Sequence, residues 1–191
     1  MSQGDNSPNV VVLKKEPIRF SGGASGLERF FKLEHWRVNC EGQEDDRVVW
    51  TRGDFVLVVA ITPKQEVVLI REYKQAIEQA VLCLPAGGKK KDESPREAGL
   101  RELREESGYV GSMDSCYVLE RFFNAPDKST ERHYVIVVSD VERQGLPTPE
   151  ESETILGVQL CNLKEAKKKI FVGMHRLAVD VASEFLAGRG A

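Results

Sequence analysis

The stretch from Ser94 to Gly108 constrains this chain more than any other. Ser94 reads as a helix N-cap, Pro95 suits the first turn, Glu97 completes a capping box, and Gly108 suits the C′ position. A helix bounded in this way carries Glu102, Glu105 and Glu106 at i, i+3 and i+4, on one face. Like charges at that spacing repel one another and disfavour an isolated helix. A divalent cation relieves the repulsion, and hard oxygen ligands suit magnesium. The same run also reads as the solvated face of an ordinary surface helix, and helix composition alone does not decide between the two. Ala98, Leu100, Leu103 and Ser107 give the inward side. Gly99, in mid-helix, costs about 1 kcal/mol relative to alanine and suggests close packing there.

Before this helix the sequence reads as strands. Val10–Leu13 and Phe30–Val38 are candidates, separated by a Gly/Ser-rich loop at 21–26, and residues 1–8 are polar enough to be disordered. Arg47–Thr51, Asp54–Ile61 and Glu66–Arg71 are rich in Val, Trp and Phe, with Thr62-Pro63-Lys64-Gln65 as the turn of a hairpin. Ala80–Leu84 is a short apolar strand stopped by Pro85-Ala86-Gly87-Gly88. After the helix come strands at Cys116–Phe123 and His133–Ser139, an acidic loop at Asp140–Glu153, a strand at Thr154–Leu160, and helices at Asn162–Lys169 and Met174–Leu186. This order predicts an α/β fold, a mixed sheet with helices on both faces. Residues 1–50 are expected to form an N-terminal strand region and 51–191 the main domain.

Composition narrows the function classes. Of 191 residues, 41 % are hydrophobic and 30 % charged, with a net charge of -3, so nucleic acid is not the expected partner. The apolar stretch at 55–61 is too short to span a bilayer, and no membrane association is expected. Cys40, Cys83, Cys116 and Cys161 are widely spaced, which suits free thiols in a reducing compartment and a cytoplasmic location.

The frame around the glutamates resembles a known family. Gly87, five residues, Glu93, seven residues, Arg101-Glu102-Leu103, one residue, Glu105-Glu106, one residue, Gly108 and Tyr109 look like the Nudix box. Only Tyr109 departs softly, standing where the family has an aliphatic residue. The resemblance implies an α/β/α sandwich around a mixed sheet. It also implies hydrolysis of a nucleoside diphosphate linked to another moiety. Carried over by position, Glu102, Glu105, Glu106 and Ala86 hold magnesium or manganese. Gly87, Glu93, Arg101 and Gly108 are structural, and Glu93 is placed to pair with Arg101. Glu151 or Glu153, in the acidic loop, is a candidate base beside the helix glutamates.

The flanks resemble the ADP-ribose and nucleotide-sugar pyrophosphatase subgroup. Leu84-Pro85-Ala86-Gly87 is similar to its LPAG entry, and Arg71-Glu72-Tyr73-Lys74 to its Arg-x-Tyr-Arg pattern, with Lys in the last place. Pro126, 18 residues after Gly108, and Glu131 stand near the subgroup's marker positions. Arg71, Tyr73, Arg52 and Trp50 are the candidate substrate-binding residues, and His133 reads as structural. Cys83 departs from the pattern, because the subgroup has a carboxylate there. The expected products are an NMP and a sugar phosphate. The alternatives are a nucleoside-triphosphate or capped-RNA pyrophosphohydrolase and a non-catalytic Nudix-fold binding protein. The resemblance further implies a homodimer built with the N-terminal region.

Overall fold

A computed structural model describes residues 10–18, 32–150 and 153–189. The expected disorder at 1–8 and the loop at 21–26 lie outside the described residues. The chain divides into two units, residues 1–53 with 123–131, and residues 54–122 with 132–191.

The first unit is an antiparallel sheet of β1 (Val10–Pro17), β2 (Lys32–Cys40) and β3 (Gln43–Thr51), with β2 in the middle. A two-residue turn at Glu41-Gly42, both at positive φ, joins β2 to β3 and keeps the ladder in register from Cys40↔Gln43 to Lys32↔Thr51. β3 begins four residues earlier than Arg47, in the hydrophilic run Gln43–Asp46. Cross-strand pairing overrides the weak strand propensity there: Asp46 meets His35 at 2.8 Å and Arg37 at 3.5 Å. The segment before Glu131 is laced to the end of β3, where Trp50 N–H donates to the Lys128 carbonyl at 2.8 Å.

The second unit is built on β4 (Phe55–Ala60), which pairs in parallel with β10 (Arg132–Val138) and antiparallel with β7 (Ala86–Gly88). β9 (Cys116–Phe123) extends the sheet beyond β10. The sequence of β4 is continuously apolar because both its faces are buried. Val56, Val58 and Ala60 pack with Ala98 and Leu103 of α1 (Pro95–Ser107), whereas Leu57, Val59 and Ile61 pack with Ala166, Ala178, Val179 and Ala182. Those four lie on α2 (Leu163–Lys169) and α3 (Gly173–Arg189). Helices therefore cover both faces of a mixed sheet, which is the expected fold class. A further sheet has β5 (Glu66–Lys74) between β12 (Ile155–Asn162) and β6 (Gln79–Cys83), both antiparallel to it.

Two short strand pairings escaped the sequence reading. Ala86–Gly88 is not only the stop after a strand but a strand itself, paired with β4 from Leu57↔Ala86 to Phe55↔Gly88. β8 (Tyr109–Val110) pairs with β11 (Glu142–Arg143) inside what reads as loop. Both are too short to show a period. In α1, the Ser94 amide donates to Glu97 at 2.7 Å, the Glu97 amide donates back to Ser94 Oγ at 3.3 Å, and Gly108 caps the C-terminus at φ 73°. A Cβ on Gly99 would stand 3.2 Å from Ile136 Cγ2, so the helix approaches β10 closely there.

Candidate active site

The site lies in the second unit, where α1 faces the segment Leu84–Gly88. That segment is held at every step. The Leu84 amide donates to His175 Nδ1 at 3.1 Å, and the Pro85 carbonyl accepts from Val58 at 2.9 Å. Burial keeps His175 neutral, with a pKa pushed down to about 3, so its Nδ1 remains an acceptor. The Ala86 amide then donates to Glu106 Oε2 at 2.7 Å. Gly87 faces Glu102, and a Cβ there would run into the Glu102 carboxylate. Only a glycine lets the helix carboxylates sit this close to the segment.

One end of the glutamate face is neutralised by Arg101. Its guanidinium forks onto Glu93, with Nε to Oε1 at 2.6 Å and Nη2 to Oε2 at 3.0 Å. Nη1 reaches Glu102 at 2.8 Å and Glu105 at 3.0 Å, and Nη2 also donates to the Gly88 carbonyl at 2.8 Å. The Arg101 bond holds the Glu93 carboxyl below the usual range. Arg101 therefore ties the loop to the helix and matches Glu105 with positive charge.

The other end is only partly neutralised: Glu102 shares Arg101 with Glu93 and Glu105, and no described cation pairs with Glu106 or Glu153. Glu102, Glu106 and Glu153 each offer an oxygen within 4.8 Å of the other two. Glu102 and Glu106 are buried, at 5 % and 2 % exposure. Burial pushes Glu102 up to about 7, against the pull of Arg101. Burial pushes Glu106 up to about 9, opposed by the Ala86 amide and reinforced by Glu153, Glu102 and Glu72. Burial likewise raises Glu153. Hard carboxylate oxygens that crowd and desolvate one another form a donor set that fits a divalent cation.

The remaining sequence candidates are dispersed. Glu105 stands with Arg101, outside the three-carboxylate cluster. Glu151 lies outside the described residues. Arg71 and Tyr73 are exposed. They share the alternation of Val67 and Leu69, whose side chains pack with α2 and α3 rather than α1. Trp50 and Arg52 belong to the first unit, as does Glu131, which lies 3.7 Å from Arg52. His133 is buried between the rings of Phe55 and Phe122, at 5.5 and 5.4 Å. Cys83 is fully buried, and burial raises its thiol to about 11, so it stays neutral.

The sequence reading named Glu72 and Lys74 only within the Arg-x-Tyr-Arg pattern and gave neither a place in the site. Glu72 is 9 % exposed, is paired with Lys74 at 2.6 Å, and adds to the field at Glu106 and Glu153. The period of two along β5 was the available signal: Val68 faces α1, and the same parity leads to Glu72.

The chain is similar to known proteins in sequence and fold. The sequence model of the NUDIX domain matches residues 51–179, and the chain belongs to the Nudix family as a Nudix hydrolase. It is 28 % identical to the methanol dehydrogenase activator of Bacillus methanolicus, over 82 % of this chain and 95 % of that protein. It is 25 % identical to the ADP-ribose pyrophosphatase of Bacillus subtilis strain 168, over 52 % of this chain and 53 % of that protein. The crystal structure of an ADP compounds hydrolase superposes with a TM-score of 0.76 at 22 % identity, over 96 % of both chains, and shows the shared fold.

Proposed function

We propose that this Nudix hydrolase cleaves the pyrophosphate linkage of a nucleoside diphosphate derivative, ADP-ribose or a nucleotide sugar, to an NMP and a sugar phosphate. The observation that carries the reading is the cluster of Glu102, Glu106 and Glu153 beside the Ala86–Gly87 segment, whose charge Arg101 meets only at Glu102. Magnesium, or manganese in its place, fits these donors, with Ala86 beside them through its bond to Glu106. A divalent cation held there neutralises the pyrophosphate and acidifies the attacking water. The chain's own part is to position and to move a proton. Glu102 is fixed by Arg101 and Glu106 by the Ala86 amide. Glu153, on a loop, takes the proton as water oxygen bonds to phosphorus and the leaving phosphate departs with the anhydride electrons. The names of relatives that act on ADP-ribose and ADP compounds support this substrate class. Arg71 and Tyr73, exposed on the face of β5 away from the cluster, are proposed to contact the substrate beyond its pyrophosphate, and Trp50 and Arg52 of the first unit are proposed as contacts of their own.

Two accompanying statements belong to the same reading. The enzyme works in the cytoplasm, consistent with four free thiols; no described helix is long and apolar enough to cross a membrane. It works as a homodimer, with the apolar groove of the first unit, lined by Val12, Trp36, Val38 and Val49, as the contact surface. Light scattering that shows a monomer removes the second statement.

Product analysis with magnesium tests the function. ADP-ribose, UDP-glucose, ADP-glucose, a dinucleoside polyphosphate and a capped RNA are offered in parallel. AMP with ribose phosphate, or the corresponding NMP with a sugar phosphate, is expected. Release of pyrophosphate or phosphate from triphosphates instead, or no turnover of any substrate, overturns it.

A further inference from the structure

β5 is the middle strand of its sheet, and its residues alternate between two packed faces. Val67 and Leu69 meet the helices α2 and α3, and Val68 meets Ala98 and Leu103 of α1. Continued along the strand, that alternation turns Glu72 and Lys74 toward α1 and its carboxylates. The flanks agree. On one side Glu72 stands opposite Ile155, and the Tyr73 amide donates to the Thr154 carbonyl at 2.9 Å, so β5 fixes the chain that follows Glu153. On the other side Glu72 pairs with Val81, diagonal to Cys83. The charge of Glu72 reaches Glu106, Glu153 and Cys83.

Glu72 is thus a third buried carboxylate beside Glu102 and Glu106, though it is not one of the three within 4.8 Å of one another. Its cation is not shared, whereas the Arg101 that reaches Glu102 also serves Glu93 and Glu105. Lys74 Nζ lies 2.6 Å from Oε2, and no described residue donates to Oε1. The lysine is the more exposed partner, with its side chain 37 % exposed against 12 % for the glutamate. An isolated i, i+2 ion pair on a strand adds little stability by itself and costs desolvation of the buried partner. On the same strand face that turns toward the cluster, with the lysine partly exposed, it can do more.

We propose that Glu72 and Lys74 form an exchangeable ion pair, in which Glu72 joins the cation-holding carboxylates and the freed Lys74 ammonium binds a phosphate oxygen of the substrate. The exchange breaks one ion pair and forms two, and no covalent bond changes. It rests on the reading of Glu102, Glu106 and Glu153 as a divalent-cation site. It explains why the strand that borders the site presents a carboxylate and an ammonium on one face. The two residues pull in opposite directions on the cation, Glu72 attracting it and Lys74 repelling it. A pair remote from the cation has no such antisymmetry, and a pair that stays closed near it does not lower KM through Lys74.

Manganese alone, titrated into the metal-free full chain and followed by the electron paramagnetic resonance of the free ion, reads this directly. Wild type, Glu72→Gln and Lys74→Met are compared, with ADP-ribose kinetics alongside. Glu72→Gln is expected to weaken manganese binding about tenfold. Lys74→Met is expected to bind manganese at least as tightly as wild type, while KM rises about tenfold with kcat little changed. Unchanged manganese affinity in Glu72→Gln overturns the proposal, as does an equal loss in both variants. If Glu72→Gln melts below the assay temperature, Lys74→Met decides alone, and weakened manganese binding in it overturns the exchange. A wild-type chain that binds no manganese refutes the cation site itself, a result distinct from either of these.

Discussion

Helix α1 offers two glutamates that are neighbours in sequence and look alike. Glu105 lies 3.0 Å from the Arg101 guanidinium, with its side chain partly exposed. Glu106 is buried, accepts one amide hydrogen bond and has only other carboxylates for charged neighbours among the described residues. The first arrangement balances its charge within the protein. The second leaves the balance to something that arrives. The contrast separates the side of the helix that holds the loop in place from the side that does chemistry.

The contrast is tested most strongly at Glu106. Glu106→Gln keeps the shape and still accepts the Ala86 N–H, but it removes the charge that a cation needs. Turnover is expected to fall about a thousandfold, with an unchanged near-ultraviolet circular dichroism spectrum. Near-normal turnover in a folded variant removes Glu106 from the site.

Arg101→Ala strikes the other side. It strands Glu93, Glu102 and Glu105, all linked to the same guanidinium. A buried pair broken in this way costs about 3–5 kcal/mol, readable as a lower urea midpoint. Arg101→Lys is expected to recover only part of it, because an ammonium cannot fork onto Glu93 while also reaching Gly88. A loss below about 1 kcal/mol for Arg101→Ala shows that the network is no more than a surface ion pair.

How much of this was legible beforehand follows the same division. The capping residues of α1 announced its ends, because a cap is a local interaction between residues three apart. The continuous apolar run of β4 announced a strand buried on both sides. The spacing of the glutamates placed them on one face but could not separate Glu105 from Glu106, since that depends on where Arg101 turns and which carboxylate meets Ala86. Ala86–Gly88 was read only as a strand stop, because its pairing with β4 is a long-range contact with no period of its own. Glu72 was given no place in the site for a related reason. The arginine and tyrosine on either side of it drew attention as substrate contacts, and only the packing of Val68 against α1 shows which parity faces the site.

A weaker but more diagnostic effect is the pH dependence of the metal-free protein. Glu102 and Glu106 have folded-state pKa values of about 7 and about 9, above the ordinary value of 4.5. Carboxyls raised in this way favour folding while protonated. Their contribution is complete below the ordinary value and is lost as pH rises through about 7 and then about 9. The Tm of the metal-free chain is therefore expected to fall by several degrees between roughly pH 5 and pH 9. Magnesium, which binds the deprotonated carboxylates, is expected to restore it most at the alkaline end and to release about one to two protons on binding near pH 7. Scanning calorimetry and titration in buffers of different ionisation enthalpy measure both. In Glu106→Gln the decline is expected to flatten, and a metal-free Tm that instead rises over this range contradicts the assignment of Glu106 as an uncompensated charge.

The smallest effect is expected at Glu105, and it bears most closely on the comparison between the two glutamates. Glu105→Gln removes a charge from a carboxylate that is 23 % exposed in its side chain and shares its arginine with two others. Its backbone carbonyl, which accepts from Thr148 at 2.7 Å on the way to Glu153, is untouched. Arg101 keeps its fork on Glu93, so stability is expected to drop by less than about 1 kcal/mol and turnover by less than about fivefold. A thousandfold loss in Glu105→Gln, equal to that expected for Glu106→Gln, means that Glu105 leaves Arg101 and turns toward the cation during catalysis. The face of α1 then acts as a single set of three ligands, and charge compensation in the resting protein no longer separates scaffold from site.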